Sequence, residues 1–176
     1  MKYLLKIIFI LFLFSLLGSV QAQTNPKQSL STILQPLAKK PVPYDALIRN
    51  LQAFQGTISG NKPGEKALRN QVRFWEYEIT YRKLLSQTNP APTAKDFKRL
   101  YDDFHSIPTA NVGNKILKSW IEYKLGFCQF RLAELATDGN RAIVHYEKAA
   151  IHFNAIVPKE NELYFPARVM RGICFI

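Results

Sequence analysis

The sequence predicts an all-α protein and, within that class, an α-solenoid of antiparallel helical hairpins. Three observations carry the prediction. Apolar residues recur at helical spacing along almost the whole chain beyond residue 44, and no alternating strand pattern competes with them. Helices with two apolar stripes alternate with helices that have one. The stripes coincide when the chain is shifted by 46 residues.

Residues 1–22 read as a signal peptide, not as part of the fold. Lys2 and Lys6 supply a positive start, Ile7 to Leu17 is an apolar run broken only by Ser15, and Val20 and Ala22 sit where a signal peptidase reads small residues. Cleavage is expected before Gln23. The run has 11 residues, whereas a membrane-spanning helix needs about 20. No cysteine follows it, which argues against a lipoprotein anchor. Without these residues the chain keeps 22 basic and 13 acidic side chains, a net of +9 over 154 residues. In an exported protein that excess suits an acidic partner or anionic envelope material, or serves solubility without any partner, and no nucleic acid is expected. No transmembrane helix is expected after signal removal.

Composition narrows the class further. The 176 residues, 47% apolar and 12% aromatic, exclude a disordered chain and suit one domain or a few repeat units. Two cysteines are too few for a disulfide framework or a four-cysteine zinc site.

The elements follow in order after an N-terminal linker or cap over 23–43. Leu47, Leu51, Phe54 and Ile58 give a one-sided helix from about 44 to 59, stopped by the segment Gly56 to Gly64. Residues 65–87 form a longer helix with one stripe at Leu68, Val72, Trp75 and Ile79 and another at Phe74, Tyr77, Tyr81 and Leu84. Thr93 is the expected N-cap of the next helix, with Asp96 three residues on as in a capping box. That helix carries Phe97, Leu100, Phe104 and Ile107, and Pro108 ends it. Residues 112–136 are again two-sided: Leu117, Ile121, Leu125, Cys128 and Leu132 on one stripe, Trp120, Tyr123, Phe127 and Phe130 on the other. Asp138-Gly139-Asn140 reads as a turn. Ile143, Tyr146, Ala150, Phe153 and Val157 mark a one-sided helix closed by Pro158, and a last helix from about 162 aligns Val169, Ile173 and Ile176.

At the 46-residue offset Leu51, Phe97 and Ile143 fall together, as do Gly126 with Gly172 and Cys128 with Cys174. The repeat domain then spans 44–176: a first short helix over 44–64, units over 65–110 and 111–157, and an incomplete unit over 158–176. Two-sided helices need cover on both faces and one-sided helices do not, so the long helices form an inner layer and the short ones an outer layer.

Ala142-x-x-x-Tyr146-x-x-Ala149, with Gly126 in the preceding long helix, resembles the tetratricopeptide repeat. The match is best over 112–158 and rests on periodicity alone over 65–107. It departs in length, 46 residues against about 34; an extended tetratricopeptide-like unit fits, as does a HEAT-like hairpin, whose length is about right. The resemblance implies a right-handed solenoid that binds a protein or peptide on a concave face. It also makes Tyr146 and Ala149 contacts between helices and not a site.

Candidate chemistry is sparse. Gly56 to Pro63 lacks the four-residue interval between glycines and the Lys-Ser/Thr ending of a phosphate loop, so it reads as a helix-ending loop. His145 and His152 lie two turns apart without a third metal ligand in reach, and Glu147 points elsewhere. His105, beside Asp102 and Asp103, has no nucleophile to activate. Cys128 and Cys174 are expected to be buried and free, because axes of stacked helices stand about 8–10 Å apart and a disulfide needs Cα atoms within about 7 Å. No catalytic residue, metal or cofactor is implied. The one candidate binding feature is a basic ladder: Arg49, Lys95 and Arg141 recur at 46 residues, as do Arg69 and Lys115. Cations near helix starts oppose the helix dipole, so their recurrence suits an anion-reading edge better than stability. The competing reading is a solvated face partly neutralised by Asp45, Asp96 and Asp102.

In this register the last helix lacks its short partner, expected near 189–199. The sequence therefore reads as the N-terminal part of a longer protein, ending on an apolar, aggregation-prone edge. Two functions are expected from it. The first is an exported, non-catalytic scaffold of a bacterial envelope that binds protein or peptide. The second is a helical docking or sensor region of a larger enzyme or signalling protein.

Overall fold

The computed structural model describes residues 30–59, 63–109, 115–156 and 162–175. The expected signal peptide, residues 60–62 of the first loop, Val157, Pro158 and Ile176 lie outside them. Among the described residues the protein is all-helical, without a strand, and no helix is long and apolar enough to cross a membrane. The chain divides into two compact units, one through Ile79 and the other from Thr80.

The first unit opens with a short helix, α1 (Leu30–Leu34), continued by a 3-10 turn over Gln35–Ala38. The sequence reading leaves these residues in the linker or cap, because five helical residues are too few to show a period. Leu30, Ile33 and Leu34 are nonetheless buried. Helix α2 (Tyr44–Gly56) starts after Pro43, with Asp45 in its first turn against the positive end of the helix dipole. Its Leu47 and Leu51 are buried, and so is Ile58 just past its end. A 13-residue helix is marginal alone. Burying each such side chain contributes roughly 1.5–3 kcal/mol, so packing and not propensity holds α2 in place. Helix α3 (Pro63–Ser86) joins it through Gln52 Nε2 donating to Glu76 Oε1 at 2.7 Å and Arg69 Nη2 donating to the Ile58 carbonyl at 2.5 Å. In the part of α3 that belongs to this unit, Leu68, Val72, Trp75 and Ile79 are buried on one stripe and Phe74 on the other.

The second unit takes the end of α3, where Tyr81 is buried, and four further helices. Helix α4 (Ala94–His105) begins with a full capping box: Thr93 accepts from the Asp96 amide, and the Asp96 carboxylate accepts from the Thr93 amide at 2.8 Å. Phe97, Leu100 and Phe104 form its single buried stripe, extended by Ile107. Helix α5 (Lys115–Glu134) is covered on both sides: Leu117, Ile121, Leu125, Cys128 and Leu132 are buried, as is Trp120 of the second stripe. Helix α6 (Gly139–Asn154) packs on α5, and α7 (Tyr164–Ile173) packs on α6. Asp138 is the N-cap of α6, its carboxylate accepting from the Asn140 amide at 3.0 Å, so the expected turn is the helix start itself.

One expectation fails inside α6. Ile143, placed on the core stripe by the 46-residue shift, is 57% exposed; the buried residues are Ala149, Ala150 and Phe153, followed by Ile156. Burial in the short helices recurs at 49 residues as well as at 46: Leu51, Leu100 and Ala149 are all buried, and so are Ile58, Phe104 and Ala150. The long helices show both intervals, with Leu68 and Leu117 or Val72 and Ile121 at 49, and Phe74 and Trp120 or Leu117 and Leu163 at 46. The physical reason lies in the width of an apolar stripe. At 3.6 residues per turn, a three-residue shift leaves the stripe only about 60° out of line. A core stripe spans about 100° or more, so stripes overlap at either offset.

Candidate functional site

The α5–α6 pair is built around one close approach. A Cβ placed on Gly126 would stand 2.7 Å from Phe153 Cε1, so the Phe153 ring lies directly on the α5 backbone. Tyr123 and Phe127 flank that ring, each with centroids 5.7 Å from it and near-perpendicular planes, and Phe130 meets Tyr146 in the same manner at 5.4 Å. Burial pushes the Tyr123 hydroxyl up to about 12. Ala149 is buried and Tyr146 half-buried.

Polar groups cross the same seam. His145 Nδ1 lies 2.7 Å from Gln129 Oε1, and His152 Nδ1 lies 2.9 Å from Glu122 Oε2. Residue numbers fall along α5 as they rise along α6. The other nitrogen of His152, Nε2, is 3.3 Å from the Tyr101 hydroxyl of α4. Glu122, His152 and Tyr101 therefore form one relay across three helices, with the His152 and Glu122 side chains 17% and 18% exposed. In the tautomer whose Nδ1 donates to the carboxylate, Nε2 is an acceptor for the Tyr101 hydroxyl. His105 stacks on the Tyr101 ring at 5.8 Å. Desolvation, with Lys148 adding to it, holds His145 below the ordinary histidine value. Among the described residues no group of three or more His, Cys, Asp or Glu side chains is disposed to hold a metal.

The sequence reading misses this relay because it looks for ligands on the histidines' own helix. One signal for it exists: Glu122 and Gln129 are seven residues apart on α5, matching the interval between His145 and His152 on α6.

The ladder cations divide between the units. Arg49 and Arg69 belong to the first, Lys95, Lys115 and Arg141 to the second. Arg69 is half-buried and bonded to the Ile58 carbonyl. Arg49, Lys95 and Lys115 are exposed, and Arg141 is exposed with its guanidinium 3.7 Å from Asp138. Lys98 pairs with Asp102 along α4 at 2.9 Å, and Asp96 is engaged in the capping box.

The cysteines are free, but they are not one position seen twice. Cys128 is buried while Cys174 is only half-buried, its thiol pushed up by desolvation. Gly126 is closely covered, whereas a Cβ on Gly172 would meet open space.

Large apolar side chains reach solvent mainly on α6 and α7. On α6 they are Ile143, Val144 and Ile151; on and just after α7 they are Phe165, Val169, Ile173 and Phe175. Val169 and Ile173, aligned in the sequence reading, thus face water. Nearby, burial raises the Glu162 carboxyl above its ordinary value, and the Trp120 indole offsets part of that rise. No family model, curated protein or solved structure matches the chain.

Proposed function

We propose that the protein is an exported, non-catalytic helical scaffold that binds a protein or peptide partner. Its helices would stack as antiparallel hairpins of a tetratricopeptide-like or HEAT-like solenoid. The observation that carries this reading is the concentration of large exposed apolar side chains on α6 and α7. An apolar surface kept in contact with water marks an interaction site far more often than a solvated face does. The excess of basic over acidic side chains favours an acidic partner, and the exposed cations Arg49, Lys95, Lys115 and Arg141 would draw it in over a Debye length. Arg69 would contribute through its field, since its guanidinium is bonded to the Ile58 carbonyl.

The test is direct binding. Three labelled 18-residue peptides share one leucine stripe and carry glutamate, glutamine or lysine on the polar face. Fluorescence anisotropy against the full chain should show saturable one-to-one binding of at least one of them. Flat titrations with all three refute the scaffold reading. Export is tested separately by sequencing the N-terminus of the protein recovered outside the cytoplasm, which should begin at Gln23.

A further inference from the structure

We infer that the outward face of α7 is the docking surface for an acidic amphipathic helix of a partner protein; this inference rests on the scaffold reading above. Helix α7 buries Ala167, and Leu163 just before it is buried too. On the other side Phe165, Val169 and Ile173 are 77%, 63% and 43% exposed. They recur every four residues, and each step advances about 40° around the helix, so the three form one continuous stripe a little over two turns long. A stripe of that spacing is what a second amphipathic helix covers with its own apolar positions.

Charge decides what kind of helix. The α7 sequence, YFPARVMRGI, holds two arginines and no acidic residue. Arg168 is exposed next to Val169, and its guanidinium stands 5.8 Å from the Tyr164 ring. Arg171 is tethered to α6 by donating to Asn154 Oδ1 at 2.8 Å. Arg168 lies at one edge of the stripe, about 100° around the helix from its centre at Val169, whereas Arg171, about 160° from that centre, lies on the side turned to α6. An occupant with glutamates or aspartates along its matching edge would reach Arg168 with a charge-assisted bond at the rim, while its apolar face covers the stripe. A second copy of α7 brings only Arg168 to that edge and no carboxylate to meet it, so the surface selects an acidic partner over itself.

The peptide set above separates this inference from its premise. At low salt the glutamate peptide should bind at least tenfold more tightly than the lysine peptide, with the advantage shrinking as salt rises. Phe165→Ser with Val169→Ser should weaken the glutamate peptide at least tenfold. Both side chains are exposed, so the fold is expected to survive, and far-UV circular dichroism verifies it. Arg168→Glu should abolish the preference for the glutamate peptide. The apolar run at residues 7–17 is common to parent and variants and cancels from the comparison. Binding that ignores peptide charge, or that survives the α7 substitutions, overturns the docking face and leaves the scaffold reading standing. A dimer of the parent that separates in the Val169→Ser variant also overturns it. Absence of binding by every peptide removes both readings.

Discussion

Replacing Gly126 with alanine should destabilise the protein, although glycine inside a helix is ordinarily the poorer residue. The added Cβ would meet three atoms of one ring, Phe153 Cε1 at 2.7 Å and Cδ1 and Cζ at 2.9 Å. Carbon atoms pack at about 3.5–4.0 Å, so the ring must retreat by roughly 1 Å. It has nowhere easy to go, because Phe153 is fully buried and Tyr123 and Phe127 close on it from two sides. Overpacking of this kind costs about 1–3 kcal/mol, and the caged ring puts Gly126 in the upper part of that range. Against it stands the helix propensity of alanine, worth about 1 kcal/mol over glycine. The net expectation is a loss of about 1–2 kcal/mol, a fall in Tm of several degrees for a chain of this size. Gly172 is the internal control: a Cβ there meets open space, so Gly172→Ala should be neutral or stabilising by up to about 1 kcal/mol. Urea unfolding followed by far-UV circular dichroism measures both. Phe153→Leu in the Gly126→Ala background should recover part of the loss by removing the clash. The reasoning fails if Gly126→Ala is as stable as the parent, or if the two substitutions add without coupling.

Thr93→Ala removes the hydroxyl of the α4 capping box and should cost about 1 kcal/mol in the same assay. That hydroxyl also holds the Asp96 carboxyl below its ordinary value, so its contribution is present above about pH 4 and is lost as pH falls through the depressed value. The cost of Thr93→Ala should accordingly shrink in acid. Glu162 behaves oppositely. Its raised pKa means that the fold disfavours the carboxylate, so stability falls as pH rises through that value, and Glu162→Gln should unfold at higher urea than the parent at pH 7 with the gap closing towards pH 4. His145 is depressed, so its contribution is present above about pH 6.5 and lost as pH falls through the depressed value. An NMR titration should place its midpoint below that of an exposed histidine. Tyr101→Phe deletes the outer bond of the relay and should cost about 0.5–1.5 kcal/mol, with the Glu122–His152 pair intact in the NMR spectrum.

Much of the fold was legible because helices announce themselves locally. The stripe at Phe97, Leu100 and Phe104, the Thr93–Asp96 box and the two-sided character of α5 are consequences of 3.6-residue periodicity and of short-range hydrogen bonding. The candidate surface was only half legible. Val169 and Ile173 were recognisable as one line of a helix, but whether that line meets core or water depends on which neighbour α7 packs against. The relay was harder still, because Glu122, His152 and Tyr101 come from three helices and no local rule joins them.

The amino-acid sequence by itself determined that this protein is helical, where most of its helices begin and end, and which of them are covered on two sides. Tertiary structure alone decided which residues of each stripe are buried. An apolar stripe is wide enough to tolerate a shift of three residues, so periodicity accepts 46 and 49 equally well. Packing makes the choice residue by residue: it buries Ala149 and leaves Ile143 exposed, and the close approach of Phe153 to Gly126 makes the two glycine–cysteine pairs different places. The face that α7 turns to water follows from the same choice, since a helix can bury one side only against what stands beside it.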